Sequence, residues 1–205
     1  MNQIVQAIRE QRVLGILRSA DARTAVASGE LLMGAGIRAV EVSLTTPSAL
    51  DAIAQLREQL PSECYLGVGT VTTPEQVCAA AAAGAQFVVS PNMDIRVIEI
   101  SVELGLTSIP GSGTASEALQ ARSAGADLVK LFPASTWSPA AVKDLLTALP
   151  DLPLVPTGGI GLGEAVSWVR SGAVAVGLGG ALVRGEPAES TTRIKDLLAQ
   201  LAEEP

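Results

Sequence analysis

The stretch SAGADLVKLF, residues 123–132, decides how the chain is read. Its glycine, Gly125, suits the left-handed position that closes a helix. The run from Leu128 to Phe132 is apolar almost throughout, as in a parallel strand covered on both faces. One residue interrupts it: Lys130 puts an ammonium group inside the run.

The same joint returns along the chain as GAGIRAV (34–40), AAGAQFV (82–88), ELGLTSI (103–109) and RSGAVAV (170–176). With Gly125, the glycines Gly36, Gly84, Gly105 and Gly172 fall at spacings of about 20 residues or about twice that, one βα unit or two. Eight strand-like runs result: VLGIL (13–17), AVEVSL (39–44), YLGVG (65–69), FVVS (87–90), LTSIP (106–110), LVKLF (128–132), LPLVP (152–156) and AVAVGLG (173–179). Helices between them are expected to open at Thr46-Pro47, Thr73-Pro74 and Ser138-Pro139, and the Ala-rich CAAAAAGA (78–85) reads as a helix.

No Pro/Gly/Ser-rich linker interrupts the series, and 205 residues is an ordinary length for one α/β barrel. The expectation is therefore α/β, a single (β/α)8 TIM barrel over residues 1–205, with a doubly wound open sheet as the alternative. In such a barrel the active site sits where the strands end and the βα loops begin.

A composition of 48% apolar and 17% charged residues implies a well-buried globular chain. The net charge of −7 argues against nucleic-acid and anionic-membrane partners. The start, MNQIVQAIREQR, lacks a signal-peptide pattern, and no run approaches the roughly 20 apolar residues of a membrane span. A cytoplasmic location is expected. Cys64 and Cys78 show no metal-ligand spacing and are expected to be small core residues. Histidine is absent, which removes the commonest metal ligand and the commonest general base, so any acid–base or nucleophilic chemistry falls to Glu, Asp, Lys or Tyr.

Lys130 and Glu41 are the two ionisable residues embedded in strand-like runs. They read as a structural ion pair, or as an amine that forms Schiff bases with carbonyl compounds and a carboxylate that moves protons. Gly158 and Gly159 in PTGGIG, with Gly177, Gly179 and Gly180 in GLGGALVRG, follow the last two strands ahead of a short apolar helical turn. Backbone amides there suit a phosphate. Arg18, ending the first strand, suits a carboxylate or a phosphate. Thr70 offers a hydroxyl or a helix cap. SPN (90–92) and PGSGT (110–114) read as turns.

Taken in order, ILR (16–18), VEVSLTTP (40–47), GVGTV (67–71), FVVSPN (87–92), IPG (109–111), VKLFPA (129–134), PTGGI (156–160) and GLGGALV (177–183) resemble the 2-keto-3-deoxy-6-phosphogluconate (KDPG) and 4-hydroxy-2-oxoglutarate (KHG) aldolase family, over nearly the whole chain. The resemblance implies a class I aldolase without metal or cofactor. Lys130 would form the imine and Glu41 would act as acid and base through water. Thr70 and Arg18 would hold the pyruvyl carboxylate, and Gly158, Gly159, Gly179 and Gly180 the phosphate. Phe132 and Pro133 would line the pocket, with Pro91 among the substrate-binding residues. The implied substrate is a phosphorylated 2-keto-3-deoxy sugar acid, released in part as pyruvate, and the implied assembly is a homotrimer. PTGG looks like the gluconate enzymes, whereas SPN and KDLLTALPDLPL look more like the galactonate ones, which leaves the sugar acid open. A phosphate-binding isomerase or epimerase, or a silent metabolite-binding barrel, would share the loop glycines.

Overall fold

The computed structural model describes residues 2–204. Nine helices are found among them, α1 (Gln3–Gln11), α2 (Ala22–Gly34), α3 (Ala49–Gln59), α4 (Pro74–Ala82), α5 (Ile95–Glu103), α6 (Ala115–Ser123), α7 (Pro139–Ala148), α8 (Ala165–Arg170) and α9 (Pro187–Ala202). They alternate with strands β1 (Val13–Leu17), β2 (Ala39–Ser43), β3 (Tyr65–Gly69), β4 (Phe87–Val89), β5 (Thr107–Ile109), β6 (Gly111–Ser112), β7 (Val129–Leu131), β8 (Leu154–Pro156) and β9 (Val176–Leu178).

Short polar residues start most of the helices. Asn2, Asp21, Thr73, Asp94, Thr114 and Ser138 each accept a hydrogen bond from a first-turn backbone N–H. The five joint glycines all take positive φ, from 71° at Gly105 to 111° at Gly36, as the sequence led us to expect. Thr46-Pro47 does not open a helix. Thr46 is buried and its hydroxyl accepts the Ser19 N–H at 3.1 Å, so α3 begins only after Ser48.

The closed eight-stranded barrel is corrected by the strand pairing. A six-stranded parallel sheet runs β5-β4-β3-β2-β1-β9, and a separate three-stranded parallel sheet runs β6-β7-β8. The fifth expected strand divides at Pro110, which has no N–H to continue a ladder. At the other seam the bridge between Thr157 and Gly177 and the hydrogen bond from the Val174 N–H to the Leu154 carbonyl link the two sheets. The large sheet descends in chain order from β5 to β1 and then takes β9, the last strand, which also bridges to the small sheet.

The helices cover the outer faces over the main core. The two sheets share a smaller inner core of Leu14, Ala39, Phe87, Val89, Ile109, Leu128, Val155 and Ala175. Ile8 of α1 packs into that core, flanked by Ile4 and Val5. The Asn2 amide holds the helix there by donating to Thr107 Oγ1 at 2.8 Å and Asp127 Oδ1 at 3.2 Å. Because Thr107 begins β5 and Asp127 precedes β7, α1 stops the end where strands start. The opposite end stays open.

Cys64 is buried as expected, but Cys78 is exposed. On α4 the inward face carries Val77 and Ala80. One position beyond Val77 is about 100° further around the helix, which turns Cys78 to solvent.

Candidate active site

At the C-terminal strand ends lies a cavity of about 280 Å3. Ten of the residues singled out in the sequence line it: Arg18, Glu41, Thr70, Lys130, Phe132, Gly158, Gly159, Gly177, Gly179 and Gly180. They come from both sheets. Pro91 and Pro133 are placed outside its lining. The Pro91 backbone packs against β6, so close that a Cβ on Gly111 would lie 2.4 Å from the Pro91 carbonyl carbon, and Pro133 faces solvent after a cis Phe132-Pro133 peptide.

Glu41 sits in the middle of β2, in register with Ile16 and Gly67, and is 1% exposed. Its Oε2 has no hydrogen-bond partner, while Oε1 occupies space left by Gly69, where a Cβ would lie 2.5 Å away. Burial raises its pKa above the ordinary carboxylate value, and the positive charges of Lys130 and Arg18 pull it back in part. The glutamate is thus suited to hold and return a proton.

Lys130, in β7 between Gly111 of β6 and Val155 of β8, is 6% exposed. Its Nζ stands 5.1 Å from the centre of the Phe132 ring, within range of a cation–π contact. Among the described residues the ion pairs within 4 Å are Arg38–Glu10, Arg96–Asp94 and Arg170–Glu204. Lys130 and Glu41 therefore do not make the structural ion pair that their sequence positions allowed. Each presents its head group to the cavity separately.

Thr70 has φ of 63°, a left-handed conformation costly for a β-branched residue. Its hydroxyl bonds to that of Ser43 at 2.8 Å rather than capping α4, a role Thr73 fills. Gly158 and Gly159 also have positive φ, 95° and 82°. The Phe132 ring packs against Gly158, where a Cβ would come within 3.0 Å of it. After β9 the expected helical turn is only a turn, closed by the Leu182 N–H on the Gly179 carbonyl at 2.9 Å, and a Cβ on Gly180 would meet nothing within 4 Å. Among the described residues no group of three or more His, Cys, Asp and Glu gathers as for a metal ion.

Sequence reasoning missed Ile16, Thr157, Ile160 and Ala181 in the lining. Thr157 carried a readable signal, a hydroxyl ending a strand just before the glycine pair. It is 3% exposed and donates to the Val155 carbonyl at 3.0 Å. Gly177 makes room for it, since a Cβ there would lie 2.2 Å from Thr157 Oγ1.

A buried amine and a buried acid–base carboxyl opening on one cavity, at the strand ends of an α/β fold, are the groups a Schiff-base lyase needs. Comparison with known proteins agrees. A family model described as KDPG and KHG aldolase matches residues 4–197. The chain is 36% identical over 183 residues to the 2-dehydro-3-deoxy-6-phosphogalactonate aldolase of Escherichia coli (strain K12), covering 88% of this chain and 89% of that one. It is 37% identical over 170 residues to the 2-dehydro-3-deoxy-phosphogluconate aldolase of Treponema pallidum (strain Nichols), covering 82% and 80%. The crystal structure of KDPG aldolase from Legionella pneumophila, with pyruvate captured as a covalent carbinolamine intermediate, superposes with a TM-score of 0.82 at 27% identity, covering 98% of each chain. The chain belongs to the KDPG and KHG aldolase family and is a carbon–carbon lyase of the class I aldolase type.

Proposed function

We propose that the chain cleaves 2-dehydro-3-deoxy-6-phosphogluconate to pyruvate and glyceraldehyde 3-phosphate, with Lys130 as nucleophile and Glu41 as acid and base. The observation that carries the reading is the unpaired presentation of Lys130 and Glu41 to one cavity. Lys130 Nζ, in its neutral form, attacks the C2 carbonyl carbon to give a carbinolamine, and Glu41 supplies the proton with which the hydroxyl leaves as water. The resulting iminium is the electron sink. The C4 hydroxyl gives up its proton to Glu41, directly or through water, the C3–C4 bond breaks, and its electron pair enters the iminium as an enamine. Protonation at C3 and hydrolysis then release pyruvate and the free amine. Lys130 itself carries the covalent intermediate, so the reading requires no metal or cofactor.

Arg18 and Thr70 would hold the pyruvyl carboxylate, and the backbone of Gly158, Gly159, Gly179 and Gly180 the phosphate. Phe132 would flank the imine. Pro91 and Pro133 would act from behind the lining. The same machinery would also cleave 4-hydroxy-2-oxoglutarate to pyruvate and glyoxylate. A second sugar acid, 2-dehydro-3-deoxy-6-phosphogalactonate, is favoured by the 36% identity to a protein named for it. The catalytic unit is taken as the whole chain, since both sheets supply site residues. The homotrimer and the cytoplasmic location expected above belong to the same proposal.

Borohydride reduction of the protein with pyruvate tests the chemistry. One pyruvyl adduct on Lys130, absent from Lys130→Met, is expected; no adduct on folded protein would overturn it. Comparing kcat/KM on the two phosphorylated sugar acids and on 4-hydroxy-2-oxoglutarate settles the substrate.

A further inference from the structure

Three hydroxyls stand in a line beside the cavity. Ser43 ends β2, two residues beyond Glu41, and is fully buried. Its Oγ lies 2.8 Å from Thr70 Oγ1 on one side and 2.8 Å from Thr45 Oγ1 on the other. The Thr45 backbone N–H also donates to Ser43 Oγ, at 3.3 Å. Thr70 lines the cavity, and its strained φ of 63° is the kind of backbone cost that persists where surrounding contacts hold a residue in place.

From this arrangement we infer that Ser43 is a positioning residue for the substrate carboxylate, orienting the Thr70 hydroxyl through a polarised chain from Thr45. The inference rests on the reading that the cavity binds pyruvate as its carboxylate beside Thr70. A hydroxyl has one proton to donate. When Thr70 donates to an anion, its oxygen must accept from Ser43. Ser43, with its proton committed to Thr70, accepts from the Thr45 hydroxyl and the Thr45 N–H, which fills its two acceptor sites. Every proton in the row then points toward the cavity, and the fully buried Ser43 passes the polarisation from Thr45 on to the bond that Thr70 makes. Ser43 touches no substrate in this scheme. Its effect is to fix where the Thr70 hydroxyl stands and which way its proton faces.

The test is the concentration dependence of borohydride-trapped adduct on Lys130, measured with pyruvate and with acetone, which has the ketone but no carboxylate. Wild type, Ser43→Ala, Thr70→Val and the double variant are compared. Loss of one hydrogen bond to a polarised group corresponds to roughly a fivefold change in an equilibrium constant. Ser43→Ala is expected to raise the half-saturating pyruvate concentration by about that factor relative to acetone. Thr70→Val is expected to raise it further, and adding Ser43→Ala to Thr70→Val to change nothing more. Equal weakening toward both ketones, or independent effects in the double variant, would mean that Ser43 is only structural and would overturn the inference. Should Ser43→Ala not fold, Ser43→Cys keeps the volume with a weak donor and is expected to show the same selective loss. Absence of any pyruvate adduct on the wild-type lysine would overturn instead the aldolase reading on which the inference rests.

Discussion

Glu41, the proposed acid and base, also weakens the fold at neutral pH. Its folded pKa lies above the ordinary value because burial disfavours the charged form. A carboxyl shifted this way contributes stability that is complete below its unfolded value, about 4.3. That contribution is lost as pH rises through the higher folded value. Glu41→Gln removes the titration. The unfolding free energy of Glu41→Gln minus that of wild type should therefore become more positive from about pH 4 to about pH 8; urea titrations at both ends check it, and the opposite trend would contradict the shift. In the same variant kcat for aldol cleavage should fall by about 10²- to 10⁴-fold, the usual worth of a positioned acid or base.

At the scale of elements, the α4 start shows how much local sequence settles. Thr73 Oγ1 accepts the Gln76 N–H at 3.4 Å, and the Gln76 side chain reaches back to the N–H groups of Thr73 and Thr72, with Pro74 completing the first turn. Thr73→Ala should cost about 1 kcal/mol of stability, read as a Tm lower by about 2–4 °C in a chain of this size. An unchanged Tm would mean that packing of Val77 and Ala80 alone holds the helix. Thr46-Pro47 looks equally like a helix start, but its hydroxyl is taken by the Ser19 N–H on a neighbouring connection. No local pattern announces that competition.

Across the whole molecule, the inner core joins two sheets that only a few backbone hydrogen bonds link at their seams. Phe87 is its largest fully buried side chain, and Gly67 on the adjacent strand leaves the space, since a Cβ there would lie 2.3 Å from the ring. Phe87→Ala should therefore cost about 3–5 kcal/mol. A lower urea midpoint with an unchanged denaturant slope is the expected result. A near-neutral outcome would show that the sheets collapse into the vacated volume. Closure of the other end by Ile8 leaves the C-terminal strand ends as the open mouth, which is why residues from both sheets meet there.

Alternation of apolar runs with helix-closing glycines was enough to establish α/β architecture, parallel strands and the placing of Lys130 and Glu41 within strands, because backbone conformation and two-sided burial are local demands written into residue type. Family membership was legible for the same reason, from short motifs in order. Three things lay beyond it. The division of pairing at Pro110 depends on which neighbour a strand finds across the sheet, and the placing of Pro91 outside the cavity lining depends on how its backbone packs against β6. The row Thr45–Ser43–Thr70 joins residues 27 positions apart. Such contacts are fixed only when the sheets curl round their common core, where shape and burial choose among partners that the linear sequence leaves equivalent.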